Sequence, residues 1–108
     1  MTARRVVEYL GQGGISPFGR WFKNLDPTAA AKVTTALYRL EQGNMSNVKA
    51  VGKGVAEYRI NFGPGYRIYF GQHGNALVIL LGGGAKKSQD VDISRAQARW
   101  QQFKASKR

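Results

Sequence analysis

The spacing of apolar positions along this chain alternates between a period of two and a period of three to four, and each change marks an element. Residues Arg4 to Leu10 are rich in β-branched and aromatic side chains and run into Gly11-Gln12-Gly13-Gly14, which predicts a strand followed by a breaker. Ser16-Pro17 reads as an N-cap with proline at the first helical position, and Phe18, Trp21, Phe22 and Leu25 recur at helical spacing. Asp26-Pro27 repeats that start signal, and Ala30, Val33, Leu37 and Leu40 follow at spacings of three and four before Gly43 stops the helix. Residues 44 to 54 are polar, with Val48 to Val51 as a short edge strand, and from Val55 the period becomes two.

Ala56, Tyr58, Ile60 and Phe62 then face the core, and Val55, Glu57, Arg59 and Asn61 face away. After the turn signal Gly63-Pro64-Gly65, Tyr66, Ile68 and Phe70 take one face and Arg67 and Tyr69 the other. If like faces pair, Phe62 opposes Tyr66, Ile60 opposes Ile68, Arg59 opposes Tyr69 and Asn61 opposes Arg67. A turn at His73-Gly74 leads into Leu77 to Leu81, apolar on both faces as a covered central strand requires, with Gly82-Gly83-Gly84 ending it. Ser88 is the expected N-cap of a last helix whose Ile93, Ala96, Trp100 and Phe103 form an apolar stripe, with Asp90 and Asp92 at its positive end. The basic tail Lys104 to Arg108 is expected to fray. The order predicts one α+β domain over residues 1–108, in two layers.

Composition narrows the chemistry. The 108 residues carry 17 Lys and Arg against 6 Asp and Glu, a formal charge of +11 that points to a polyanionic partner. No cysteine and a single histidine argue against disulfides, thiolate chemistry and a metal site, so no metal and no cofactor are expected. The longest apolar run, Ala76 to Leu81, is far short of the roughly 20 residues of a membrane span, and no signal-peptide h-region follows Arg4 and Arg5. A cytoplasmic location away from membranes is expected.

The informative surface is the polar face of the meander, where Arg59, Arg67 and Tyr69 converge with Glu57 and Asn61, and where Lys86 and Lys87 emerge at the Arg67 end of the next strand. Arginine forks take two phosphate oxygens and lysine supplies a point charge, so the patch suits phosphate. The plainer alternative is that Glu57 and Arg59 are solvent-facing sheet residues that pair with each other for little energy. Gly82-Gly83-Gly84-Ala85-Lys86-Lys87-Ser88 is not a phosphate-binding P-loop, because that pattern needs glycine directly before Lys-Ser and Lys86 stands there. His73 reads as a turn residue, Tyr66 as core-facing and outside the site, and Trp21, Trp100, Phe18, Phe22 and Phe103 as core.

The stretch GVAEYRINFGPGYRIYF (residues 54–70), the Leu-rich strand after it and GGGAKKSQDVDI (residues 82–93) resemble the addiction-module killer proteins, HigB-like members of the RelE/ParE toxin superfamily. The Trp-Phe and Leu-Asp-Pro helical region fits as well. The resemblance implies a RelE-like α+β fold: two N-terminal helices packed on a mainly antiparallel sheet of four to five strands, a C-terminal helix, and an active site on the sheet face opposite the two helices. It implies a type II toxin with a helix-turn-helix antitoxin as partner, acting as a ribosome-dependent endoribonuclease on mRNA. The motif matches carry catalytic roles to Arg59, Arg67, Tyr69 and Lys86, and RNA-contacting roles to Lys49, Lys53, Lys87 and Glu57. The implied reaction is attack of a 2′-OH on the adjacent phosphate, with Arg59, Arg67 and Lys86 stabilising the added charge and Tyr69 or a lysine taking the proton, the cationic cluster favouring phenolate. A gyrase-poisoning toxin of the ParE kind and a non-catalytic nucleic-acid-binding module are the alternatives.

Overall fold

The computed structural model describes residues 3–74 and 77–106. Ala76 of the expected apolar run, and Lys107 and Arg108 of the expected tail, lie outside the described residues. The chain forms β1 (Arg5–Glu8), a 3-10 turn (Gln12–Gly14), α1 (Pro17–Lys23), α2 (Pro27–Glu41), β2 (Val48–Gly52), β3 (Val55–Ile60), β4 (Tyr66–His73), β5 (Leu77–Ala85), a second 3-10 turn (Lys86–Ser88) and α3 (Gln89–Ser106). The five strands make one sheet in the order β1-β5-β4-β3-β2, parallel only between β1 and β5. This is the α+β architecture that the resemblance implies.

The two N-terminal helices begin where the cap signals place them. Ser16 Oγ accepts the Gly19 N–H at 2.8 Å and Asp26 Oδ1 accepts the Ala29 N–H at 2.9 Å, each followed by proline at the first helical position. Phe18 of α1 and Val33, Ala36 and Leu40 of α2 bury one sheet face, carried by Tyr58, Ile68, Phe70, Val78 and Leu80. Each Val, Leu, Ile or Phe side chain among them taken out of water stabilises the fold by roughly 1.5–3 kcal/mol.

The opposite face is not open, and here the two-layer expectation fails. Ala96 and Trp100 of α3, with Ile93 and Phe103, pack on Val55, Tyr69, Ile79 and Leu81, so the sheet lies between two helical layers. The α3 stripe at spacings of three and four is apolar because it has this second face to cover. Trp100 reaches the sheet because the backbone under it is bare: a Cβ on Gly71 would sit 2.5 Å from its ring.

Four further expectations are corrected. The β3–β4 register is shifted by two residues, pairing Ile60 with Tyr66, Arg59 with Arg67, Tyr58 with Ile68 and Glu57 with Tyr69. Faces are preserved, since an even shift keeps the side-chain alternation. The cause is a longer turn, in which Phe62 N–H bonds Ile60 O and Gly65 N–H bonds Phe62 O, so β3 stops at Ile60 and Phe62 leaves the strand. Gly82-Gly83-Gly84 does not end β5 but continues it, opposite Tyr69, Ile68 and Arg67. A side chain at Gly83 would collide with Trp21 of α1, and one at Gly84 with Asp92 of α3, so the glycines are bare strand between two helices. Finally, Ser88 closes a 3-10 turn and donates to Asp92 Oδ2 at 2.5 Å, and His73 ends β4 edge-on to Phe103.

Candidate functional site

Alternation along β3 and β4 puts Glu57, Arg59, Arg67 and Tyr69 on the α3 side of the sheet, and the observed register makes Arg59 and Arg67 direct cross-strand partners. Glu57 is their common anchor. Its carboxylate accepts Arg59 Nε at 2.8 Å, forms an ion pair with Arg67 Nε at 3.7 Å, and accepts Gln89 Nε2 from the first turn of α3 at 3.1 Å. Glu57 is completely buried, which overturns the reading of it as a solvent-facing residue. A buried carboxylate without partners is costly, and the two guanidiniums and the carboxamide offset that cost while being held in place by it.

The two arginines differ in access. The Arg59 side chain is 43% exposed, whereas Arg67 is 9% exposed and turns Nη1 onto Gly65 O at 2.8 Å. Arg67 Nε, 3.7 Å from its carboxylate, makes no hydrogen bond among the described residues. Lys86 comes to the same end: its N–H bonds Pro64 O at 3.3 Å, and Gly65 lies between Arg67 Nη1 and Lys86 Cβ. Both Lys86 and Lys87 are exposed.

Tyr69 departs from expectation. It is fully buried beneath α3, and its hydroxyl has no hydrogen-bond partner among the described residues. Burial, reinforced by the negative charges of Glu57 and Asp92, pushes its pKa up to about 12. Arg67 and Arg59 act in the lowering direction and are outweighed, so the expected phenolate is corrected to a neutral phenol. Tyr69 thus packs under α3 with Val55, Ile79, Leu81 and Trp100 and presents no surface to solvent.

Lys49 is exposed on β2, directly opposite Glu57 and therefore on the same face. Lys53 is not brought to the cluster: it occupies the tight β2–β3 turn, at the other end of β3 from Arg59. His73 is likewise at the far end of β4 from Arg67, as expected. Gln89 had no signal in the sequence, because its partner Glu57 lies 32 residues away, and Asp92 was marked only as a charge at the positive end of the last helix, not as a neighbour of Tyr69. Among the described residues no three His, Cys, Asp or Glu side chains gather to hold a metal ion, and no helix is long and apolar enough to cross a membrane.

Residues 20–101, from within α1 to near the end of α3 and including every site residue above, match the profile of a family described as Phage derived protein Gp49-like (DUF891). The chain belongs to this family. An uncharacterized protein of Haemophilus influenzae is 42% identical over 81 residues, 74% of this chain and 82% of that relative. Gp49-like proteins are toxin-like and related to the RelE/ParE-type toxins, and the membership suggests an antitoxin partner for this Gp49-like chain.

Proposed function

We propose that this Gp49-like protein is a HigB-like toxin that cleaves mRNA on the ribosome, with its phosphate-holding centre at Arg59, Arg67 and Lys86. The observation that carries the reading is the direct cross-strand pairing of Arg59 with Arg67 on one sheet face, both tethered by Glu57, beside the exposed Lys86. In the reaction the 2′-oxygen forms a bond to phosphorus and the bond to the 5′-oxygen breaks. A 2′,3′-cyclic phosphate and a 5′-OH result, the 2′-OH proton being lost and one gained by the leaving oxygen. Negative charge grows on the nonbridging oxygens, and cations already fixed in place stabilise it without reorganising. Lys87 and Lys49 extend the positive surface along the RNA.

Proton transfer is the weaker half of the machinery. Glu57 is engaged by both arginines, Tyr69 is a buried neutral phenol and His73 is distant. The chemistry then rests on electrostatics and on the ribosome orienting the 2′-OH for in-line attack, which is consistent with activity confined to translated message. The same observation supports a second reading, a ParE-like poison of DNA gyrase that needs no proton acceptor.

Incubation with translating ribosomes, followed by mapping of mRNA 5′ ends, separates the two. Cleavage by the wild type that falls about 10²–10³-fold in Arg67→Ala supports the nuclease. Intact mRNA together with loss of gyrase supercoiling activity supports the gyrase poison and removes the nuclease.

A further inference from the structure

A second cationic feature lies on the other side of β3. Between α2 and the end of β3 that runs past β2 there is a cavity of about 260 Å³, lined by Lys32, Thr35 and Arg39 of α2 together with Asn47, Tyr58 and Arg59. Lys32, Thr35 and Arg39 follow at spacings of three and four, so they share one helix face. No carboxylate contributes to the lining, and among the described residues both ion pairs are made by Glu57, so neither Lys32 nor Arg39 is neutralised. The wall also presents a buried donor. Tyr58 is 2% exposed, and its hydroxyl accepts Asn47 Nδ2 at 3.2 Å while its own proton has no acceptor among the described residues. Lys32 Nζ lies over the Phe62 ring, 5.2 Å from its centre, a contact that leaves its charge in place. A concave site with two cations that no carboxylate neutralises, an amide, a hydroxyl and a phenol proton is complementary to a phosphate dianion or diester.

We infer that this groove is a second backbone-phosphate subsite for single-stranded RNA, holding the strand next to the phosphate bound at Arg59 and Arg67. The inference rests on the RNA reading above. It is favoured over an acidic protein segment because Arg59 belongs to both places: it lines the groove and bonds Glu57, so one continuous strand passes from one site to the other around the β3 edge. Single-strand binders characteristically track the backbone with such a groove.

Fluorescence polarisation with 2′-O-methyl oligoribonucleotides of two to ten nucleotides, which cannot be cleaved, tests it. Lys32 and Arg39 are exposed, so the double variant Lys32→Gln/Arg39→Gln is expected to keep the wild-type circular dichroism spectrum and thermal midpoint. It should bind the dinucleotide as the wild type does yet lose the gain with length, weakening the decamer by on the order of tenfold and lowering the salt slope by about 1.4 for two lost phosphate contacts. Lys32→Arg/Arg39→Lys should restore both. Wild-type affinity and slope in the glutamine variant overturn the groove while leaving the nuclease reading intact. No binding of any oligoribonucleotide by the wild type overturns the groove, whereas the nuclease reading falls only if translating ribosomes leave the mRNA intact. Binding of an acidic peptide, and not of RNA, that depends on Lys32 and Arg39 assigns the groove to a protein partner and overturns the inference.

Discussion

Glu57 and Tyr69 stand opposite each other on neighbouring strands, both sealed beneath α3, and burial gives them opposite consequences. The carboxylate stays useful because two donors and a second guanidinium surround it; the phenol hydroxyl, with no partner among the described residues, is a cost without a return. Tyr69→Phe is therefore expected to match or exceed the wild type in stability near neutral pH, by up to about 1–3 kcal/mol. The effect depends on pH in a defined direction. Because the folded pKa is about 12 and the unfolded value about 10, the unfolded chain loses the proton first. The stabilisation due to the neutral phenol is complete below about pH 10 and disappears as pH rises towards 12, on the order of 2–3 kcal/mol in all. Urea midpoints of wild type and Tyr69→Phe at pH 8 and pH 11 check this; a gap that does not widen at the higher pH removes the explanation.

Elements of this protein are limited by where backbone must come close to another layer. Gly83 in β5 leaves space for the Trp21 ring, and Gly83→Ala is expected to destabilise by about 1–3 kcal/mol through overpacking, read as a lower thermal midpoint with altered tryptophan fluorescence. The β2–β3 turn has the reverse character, with a residue that fits poorly. Gly52 pairs with Val55, leaving Lys53 and Gly54 as a two-residue loop with φ of 56° and 84°, the backbone that favours Asn-Gly. Lys53→Asn should add about 0.5–1 kcal/mol, seen as a higher urea midpoint with an unchanged slope. Such local rules made most of the elements legible: the caps at Ser16 and Asp26, the faces of β3 and β4, and the α3 stripe. The glycine run was misread as a stop because its reason is a tryptophan some sixty residues earlier.

At the scale of the whole molecule, a charge of +11 on 108 residues sets the terms of association. Self-repulsion among like charges destabilises a compact state and is screened by salt. The thermal midpoint of the free protein is expected to rise as NaCl increases from low to moderate concentration. An acidic antitoxin that covers the basic surface should raise the midpoint and abolish or reverse that dependence, as calorimetry of the free and bound chain would show. A free protein whose midpoint falls with added salt contradicts this account.

What the amino-acid sequence determined by itself is whatever depends on neighbours a few residues apart: helix starts, strand faces, and the presence of Arg59 and Arg67 on one side of the sheet. The tertiary structure alone decided how far the β3–β4 turn extends, and hence that these two arginines are partners. It also decided that α3 lies over their face, burying Glu57 and Tyr69 and leaving Arg59 and Lys86 in reach of solvent. Periodicity records which way a side chain points, but the energy of covering that side comes from contacts between segments far apart in the chain, and a single sequence carries no local mark of them.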